Sequence, residues 1–488
     1  MALLELDVIQ DHERFDDDPF RAELASVARD GSRKWIYAKK PRGVFYRRRT
    51  ALSIALLAFL ALAPFVKIGG NQFLLLDLLD RKFVFFGYPI WPEDFYLVVV
   101  LFLTGLISIV LFTAVLGRIW CGWLCPQTVF LEMVFRRIEW WIDGTSGQQL
   151  TRHLGPWNAQ RIWRFTLKHG IFFAISFAIA NIFLAYVVSS DTLRGFIKDG
   201  PVPHLSLFLA LITFTIVFYL VFARFREQAC LVVCPYGRFM SALIDDNTVT
   251  ISYDQARGEP RGKWRKNDPR ITSPRTPLPG MDSGDLGDCI DCGQCVAVCP
   301  TGIDIRNGIQ LECVACTACI DACDEIMEKI KLPKGLIRYT SANAILSGMT
   351  HWFTPRVRAY GSLWGALVVL TTGLFLFRSN LDVNILRSPG MTWAVTTDGI
   401  ANFYDVQIIN KGTKDLPYEL KIISPKNAAL TTLGLQTDAE PGELLKGRFF
   451  VTVPKGTVPD AKKEVDITIG IFSNGTIVKE IKTELLTP

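Results

Sequence analysis

Five long apolar runs punctuate an otherwise polar chain. They cover approximately Ala51–Val66, Phe95–Leu116, Phe165–Val188, Leu205–Ala223 and Gly361–Phe377. A bilayer crossing needs about 20 apolar residues, so each run predicts a membrane-spanning helix, the short fifth one standing nearly upright. Beyond residue 380 the period changes. Tyr404, Val406 and Ile408 alternate with polar neighbours, as do Val465, Ile467, Ile469 and Ile471. A period of two predicts half-buried strands. Another strand candidate covers Gly447–Val453, and Ser473-Asn474-Gly475-Thr476 offers an Asn-Gly hairpin turn of the primed type. Short alternating strands over about 100 residues predict a two-sheet sandwich of immunoglobulin-like type.

Charge gives the runs a direction. Eight Lys or Arg residues lie between Arg33 and Arg49, and Arg118, Arg136, Arg137, Arg152, Arg161 and Arg164 follow the second run. Residues 224–275 carry ten more, whereas 67–94 hold three basic against four acidic residues and 190–204 hold two basic ones. The positive-inside rule then puts the N-terminus and the region after the fourth run in the cytoplasm, and the C-terminus outside. A leader ending near Ala61-Leu62-Ala63 or a twin-arginine signal at Arg47-Arg48-Arg49 is the alternative for the first run, but its 50-residue approach is long for either. The net charge of +6 is modest and its basic residues flank apolar runs, which reports topology and not nucleic-acid binding. Residues 1–32 are expected to be poorly ordered. The division expected is 1–50, cytoplasmic; 51–245, four spans; 246–345, a cytoplasmic linker and cysteine-rich module; 346–379, the fifth span and flanks; and 380–488, an external β-sandwich.

All twelve cysteines fall between residues 121 and 323, none in the external domain. Eight form two runs. Cys289, Cys292, Cys295 and Cys299 follow C-x2-C-x2-C-x3-C, and Cys313, Cys316, Cys319 and Cys323 repeat it. This is the bacterial ferredoxin spacing, in which the fourth cysteine of each run serves the other cluster. The expected ligand sets for two 4Fe-4S clusters are therefore Cys289, Cys292, Cys295 and Cys323, and Cys313, Cys316, Cys319 and Cys299. Zinc sites instead pair two C-x2-C knuckles across a longer loop. Asp324, where the pattern has proline, is the one departure.

The remaining four cysteines make a second repeat. Cys121-Gly-Trp-Leu-Cys125-Pro126 follows the second run, and Cys230-Leu-Val-Val-Cys234-Pro235 follows the fourth, with Phe130 and Phe239 at equal offsets. On a helix, residues four apart share a face. Each pair is thus expected to present two sulfurs side by side at the cytoplasmic membrane surface, and soft thiolates select Cu(I), zinc or iron–sulfur centres. Buried cysteines are commonly inert apolar fillers; their repetition favours a redox or metal role. His169 and His204 sit at unequal depths, which argues against a membrane haem, and Trp140-Trp141 is expected to anchor at the interface.

The segments CGWLCPQTVF at 121–130, CPYGRFMS at 234–241, YDQARGEPRG at 253–262 and CVAVCPTGIDIRNGIQLECVACTACIDACD at 295–324 resemble the CcoG/FixG/RdxA family of cytochrome oxidase accessory proteins. The order of parts matches from about residue 35 to the end. The resemblance implies a multi-pass protein of the bacterial inner membrane: a five-span helical bundle with duplicated C-x3-C-P units, a cytoplasmic 2×4Fe-4S ferredoxin-like module and a periplasmic immunoglobulin-like β-sandwich. It implies reduction of Cu(II) to Cu(I) for the copper site of cbb3-type oxidases; the soft-ligand argument above makes Cys121, Cys125, Cys230 and Cys234 the expected copper site. The implied partners are a cytoplasmic electron donor, a copper-transporting P-type ATPase, oxidase subunits and periplasmic copper chaperones. An electron-transfer subunit feeding a quinone pool or periplasmic reductase, and a redox-sensing assembly scaffold, are the competing readings. The segment Tyr253–Gly262 has no physical account at this level beyond a basic linker.

Overall fold

The fold is given by a computed structural model. It describes residue 26 and residues 33–77, 82–90, 94–264, 286–378, 381–389, 393–396, 399–411, 416–425, 427–434, 438–439, 444–454, 464–473 and 475–486. The N-terminal stretch expected to be poorly ordered lies, Ser26 apart, outside the described residues, as do linker residues 265–275 and Asn474 of the expected turn.

Five described helices are long and apolar enough to cross a membrane: Val44–Phe65, Phe95–Leu116, Ala159–Val188, Leu205–Phe225 and Pro355–Leu376. At 1.5 Å per residue, a 22-residue helix reaches about 33 Å, the thickness of a hydrocarbon core. Their outer faces are apolar: Phe102 is 69% and Val369 73% exposed. Whole helices of this kind demand lipid. Three begin earlier than hydropathy predicts, the third helix at Ala159 and not Phe165. The first carries Arg47, Arg48 and Arg49 in its opening turns, and the fifth starts at Pro355, where a fixed φ suits the first turn.

The chain divides into two compact units: Met1–Leu62 with Val99–Leu184 and Arg194–Leu370, and Ala63–Val98 with Ala185–Leu193 and Thr371–Pro488. The first contains the cysteine-rich module. Strand Thr250–Tyr253 pairs antiparallel with Ile337–Thr340. Ile251, Ile305, Ile320, Met327, Leu336 and Ile337 form its core. Helix Ala318–Lys329 turns Asp321 toward the first apolar helix. The Asp321 carboxylate accepts from Phe45 N at 3.1 Å and Tyr46 N at 2.7 Å. It satisfies amides that the first helical turn leaves free and sits at the positive end of the dipole. At the end of the second apolar helix, Val249 N bonds Val115 O at 3.0 Å. Beyond the fourth, Arg226 holds Glu139 at 3.0 and 2.6 Å. Burial pushes the Glu139 carboxyl up, but Arg226, Lys168 and Arg136 outweigh it and hold the group below its ordinary range. Of the tryptophan pair, Trp141 is exposed, and half-buried Trp140 donates its indole N–H to Ala38 O.

The second unit is a two-sheet sandwich. One sheet is built on Gly399–Asn410, which pairs with Leu444–Val453 on one side and with Leu381–Arg387 and Trp393–Thr396 on the other; Ala429–Leu433 extends it. The other runs Glu419–Ser424, Glu464–Ser473, Thr476–Leu486. The alternating residues of the sequence pattern are its core: Tyr404, Val406 and Ile408 face Ile467, Ile469 and Ile471, all buried. Pairing within Lys67–Ile90 adds five short strands that the sequence pattern did not reveal. Asp94 joins this part to the sandwich, holding Arg378 and Lys411 at 2.7 Å each, and Lys411 also reaches Asp382 at 3.0 Å.

Candidate metal centres

Each ferredoxin-type run opens with the same backbone device. Asp291 and Gly293 flank Cys292 at φ +51° and +64°; Ala315 and Thr317 flank Cys316 at +51° and +65°. Left-handed residues on both sides turn the chain sharply about the central cysteine, the kind of turn whose backbone N–H groups make anion-binding concavities. Ala315 and Thr317 take this conformation against the cost a Cβ imposes. The turns define two adjoining cavities. One is lined by Cys289, Cys292, Cys295 and Cys323 together with Tyr253 and Arg306. The other is lined by Cys299, Cys313, Cys316 and Cys319, and Cys295 reaches its edge.

The donor set fits a multi-iron cluster better than single ions. Four thiolates around one zinc, at 2.3 Å each, would stand roughly 3.8 Å apart. Among the described residues no group of three or more His, Cys, Asp or Glu side chains is close enough to hold one ion. Burial pushes the Cys295, Cys313 and Cys323 thiols up to about 12 and Cys316 to about 11, and Cys319 well above its usual value. Such thiols ionise only when a metal replaces the proton.

The C-x3-C-P motifs depart from the expected helical face. Cys121 lies in helix Ile119–Trp123, but Cys125 is extended (φ −62°, ψ 125°) and Pro126 opens a new helix. Cys230 lies in a π-type turn, Ala229–Val233, and Cys234 is extended (φ −70°, ψ 115°) before Pro235. Proline bars its predecessor from the α region, so the motif breaks the helix between its two cysteines. The halves match closely: Cys125 N bonds Trp120 O and Cys234 N bonds Ala229 O, both five residues back and both at 2.9 Å. The match stops at the phenylalanines, since Phe130 is buried and Phe239 is 74% exposed. The four thiols lie within electrostatic reach of one another. Burial, then the proximity of Cys125, Cys121 and Cys234, pushes Cys230 up to about 12; burial pushes Cys121 to about 11 against the pull of Arg118. The sulfurs converge without standing at single-ion spacing for three or more.

This quartet abuts the second ferredoxin cavity. An ideal Cβ on Gly122 would lie 2.5 Å from Ala315 O and 2.6 Å from Val314 O, so only glycine permits the approach. Arg49 Nε donates to Gly122 O at 2.6 Å, and Arg118 Nη1 donates to Leu311 O. Trp123 Nε1 bonds Tyr339 Oη at 3.3 Å, and Tyr339 Oη donates to Ala315 O at 3.2 Å.

Sequence reasoning missed the work of Tyr253–Gly262, which braces the first cavity. Gly262 N bonds Cys289 O, Asp288 N bonds Arg257 O, and Gly287 N bonds Pro260 O. Arg257 holds Asp288 at 2.6 Å, and Tyr253 Oη donates to Glu259 at 3.1 Å beside Cys289. These partners are 25 or more residues away for Arg257 and Gly262, beyond any local pattern. Asp324 replaces the expected proline usefully: its carboxylate accepts from Gly335 N at 2.9 Å.

Comparison with known proteins gives three family models along the chain. A 4Fe-4S dicluster domain matches residues 225–342, a 4Fe-4S binding domain matches 98–145, and the IG-like fold at the C-terminal of FixG matches 371–488. Protein RdxB of Cereibacter sphaeroides is 33% identical, over 90% of this chain and 93% of its own length. Protein RdxA of the same organism is 32% identical over 90% and 94%. Nitrogen fixation protein FixG of Rhizobium meliloti is 31% identical over 88% of each chain. With matching iron–sulfur and C-terminal domains and near full-length similarity, the chain belongs to the FixG/RdxA family and is an iron–sulfur redox protein of a membrane.

Proposed function

We propose that this chain is a membrane-bound cupric reductase, converting Cu(II) to Cu(I) by one electron per ion for assembly of the copper site of cbb3-type oxidase. The observation that carries the reading is the junction at Gly122, where a four-thiol membrane site meets a ferredoxin cavity backbone to backbone. Cys289, Cys292, Cys295 and Cys323 would hold one 4Fe-4S cluster, and Cys299, Cys313, Cys316 and Cys319 the second. When bound, these clusters supply one-electron chemistry at low potential.

The protein's own residues do the rest. Cys121, Cys125, Cys230 and Cys234 offer soft ligands that favour Cu(I) over Cu(II). By linkage, preferential binding of the reduced ion raises the copper's reduction potential. Burial of Cys121 and Cys230 keeps the unloaded thiols protonated, so the proton leaves as the ion arrives. Gly122 permits the close approach, and Arg49 and Arg118 lock it. In this reading the N-terminus, both C-x3-C-P motifs and the ferredoxin module are cytoplasmic at a bacterial inner membrane, and 380–488 is periplasmic. The partners are a cytoplasmic electron donor and, on the copper side, a P-type ATPase, periplasmic chaperones and oxidase subunits.

A second reading is favoured by the 4Fe-4S binding model over 98–145, which contains Cys121 and Cys125, and by sulfurs that converge without single-ion spacing. In it the membrane quartet holds a third cluster and the protein passes electrons on without copper chemistry. Iron analysis of anaerobically purified protein separates the two. The copper reading expects about eight irons per chain, two cubanes, retained in Cys121→Ser and Cys230→Ser. About twelve, falling to eight in those variants, would establish the second reading.

A further inference from the structure

Two buried arginines flank Gly122, and neither meets a carboxylate among the described residues. Arg49 is 3% and Arg118 4% exposed. Each spends one N–H group on a carbonyl, of Gly122 and Leu311 respectively. Each keeps a buried nitrogen with no partner, Nη2 of Arg49 and Nε of Arg118, as Arg136 and Arg226 also do; what sets these two apart is the missing carboxylate. A guanidinium does not deprotonate in proteins, and burying an uncompensated charge costs several kcal/mol. Buried arginines elsewhere in this unit follow that rule: Arg226 holds Glu139 at 2.6 Å and Arg136 holds Glu132 at 2.6 Å.

Thiols lie within electrostatic reach of these two instead. Arg118 acts on Cys121, Cys230 and Cys313, and Arg49 on Cys316. An ideal Cβ on Gly237 would stand 3.0 Å from Arg118 Nη2 and 2.7 Å from Cys230 O, which places the guanidinium against the second motif as well as the first. Glu132, which also faces Cys316, is committed to Arg136. As free thiols these cysteines are neutral and leave both cations uncompensated; as metal-bound thiolates they supply the missing negative charge.

We propose that Arg49 and Arg118 are the resident counter-charges of the metal-bound thiolates on the two sides of the junction. Arg49 serves Cys316, and Arg118 serves Cys313 and the membrane quartet together. They are positioning residues: Arg49 touches the loop of the first membrane motif, and Arg118 touches a cluster-ligand loop and the Cys121 thiol, not the reacting ion. Four thiolates outweigh the charge of an iron–sulfur core or a cuprous ion, and each added electron deepens the excess. A fixed cation therefore favours the reduced state and raises the potential, as net charge and hydrogen bonding do at such centres generally. One guanidinium facing both sites also makes their charge states interdependent. The copper half of this inference rests on the proposed function; the cluster half does not.

The test uses full-length protein, purified anaerobically, as Arg118→Gln, Arg118→Lys and Arg49→Gln. Iron content and an EPR-monitored redox titration are read first, then Cu(I) affinity by competition with a chelator. Both glutamine variants are expected to keep their iron and to lower the potential of the cluster held by Cys299, Cys313, Cys316 and Cys319. The cluster of Cys289, Cys292, Cys295 and Cys323 should stay unchanged, and Arg118→Lys should restore most of the shift. Arg118→Gln should also bind Cu(I) about 10- to 100-fold more weakly, the usual effect of removing an outer partner of a metal ligand. Unchanged potentials in both glutamine variants, or a lysine variant as low as glutamine, would overturn the proposal. A lowered potential in protein that never binds Cu(I) would uphold the counter-charge at the cluster and refute the copper reading alone. Should the glutamine variants lose iron, the lysine variant's titration decides.

Discussion

Replacing Gly122 by alanine tests whether the junction is a functional contact. The new Cβ would stand 2.5 Å from Ala315 O, 2.6 Å from Val314 O and 2.8 Å from Ala315 C, all backbone atoms. Reaching an ordinary contact of 3.4 Å requires the two loops to part by about 0.9 Å. Neither side yields easily. Gly122 O is held by Arg49 at 2.6 Å, and Ala315 is a left-handed residue between Cys313 and Cys316 whose carbonyl is also held by Tyr339. Overpacking of this kind costs about 1–3 kcal/mol, and here the displacement passes directly into a ligand loop. Gly122→Ala is expected to lower the thermal midpoint in detergent and to alter the EPR signature of the second cluster while leaving the first unchanged. Cu(II) reduction should fall more than iron content. An alanine variant with wild-type midpoint, spectrum and rate would show that the loops do not meet as described, and the reasoning built on their contact would fail.

Further consequences concern topology and the sandwich. Protease added to intact spheroplasts should degrade or release residues 380–488 and spare 245–345; cleavage of the ferredoxin module instead would invert the proposed topology. Lys411→Met removes a cation that is 2% exposed and shared by Asp94 and Asp382; losing one partner of a buried pair costs about 3–5 kcal/mol, with the lower figure expected because Arg378 stays on Asp94. Denaturant unfolding of the sandwich measures that loss. Burial raises the Asp382 carboxyl, but Lys479 and Lys411 together hold it below its ordinary range. Its contribution is therefore present above the unfolded carboxylate value of about 3.9 and is lost as pH falls through the lower folded value. The sandwich should weaken in acid below about pH 4, and less steeply in Lys411→Met.

Much of this architecture is written in short-range patterns. Ile467, Ile469 and Ile471 are all fully buried, because strand alternation fixes which side chains face the second sheet. The five apolar runs are legible because no other solvent tolerates them, and the ferredoxin spacing because cubane ligation fixes the turns. What escaped the sequence depends on distant partners or on short elements. The strands within Lys67–Ile90 are two to four residues long, too short for a period to show. Arg49 reads locally as a topology marker, yet it is buried and bonded to Gly122. A helical face seemed to suit Cys121 and Cys125, but Pro126 breaks the helix between them, and only the fold shows both halves broken alike. Tyr253–Gly262 had no meaning until its partners at 287–289 and 333–338 came beside it.

The central claim is that electrons delivered to the ferredoxin module reduce copper at the membrane thiols. It is tested most directly by reducing the anaerobic full-length protein, removing excess reductant, adding Cu(II) and measuring Cu(I) formed in wild type and in the Cys121→Ser/Cys230→Ser double variant. The account predicts Cu(I) formation with matching re-oxidation of the clusters in wild type. In the double variant it predicts loss of both, with full iron content. Unchanged Cu(I) formation in the double variant, or none in wild type, would contradict it.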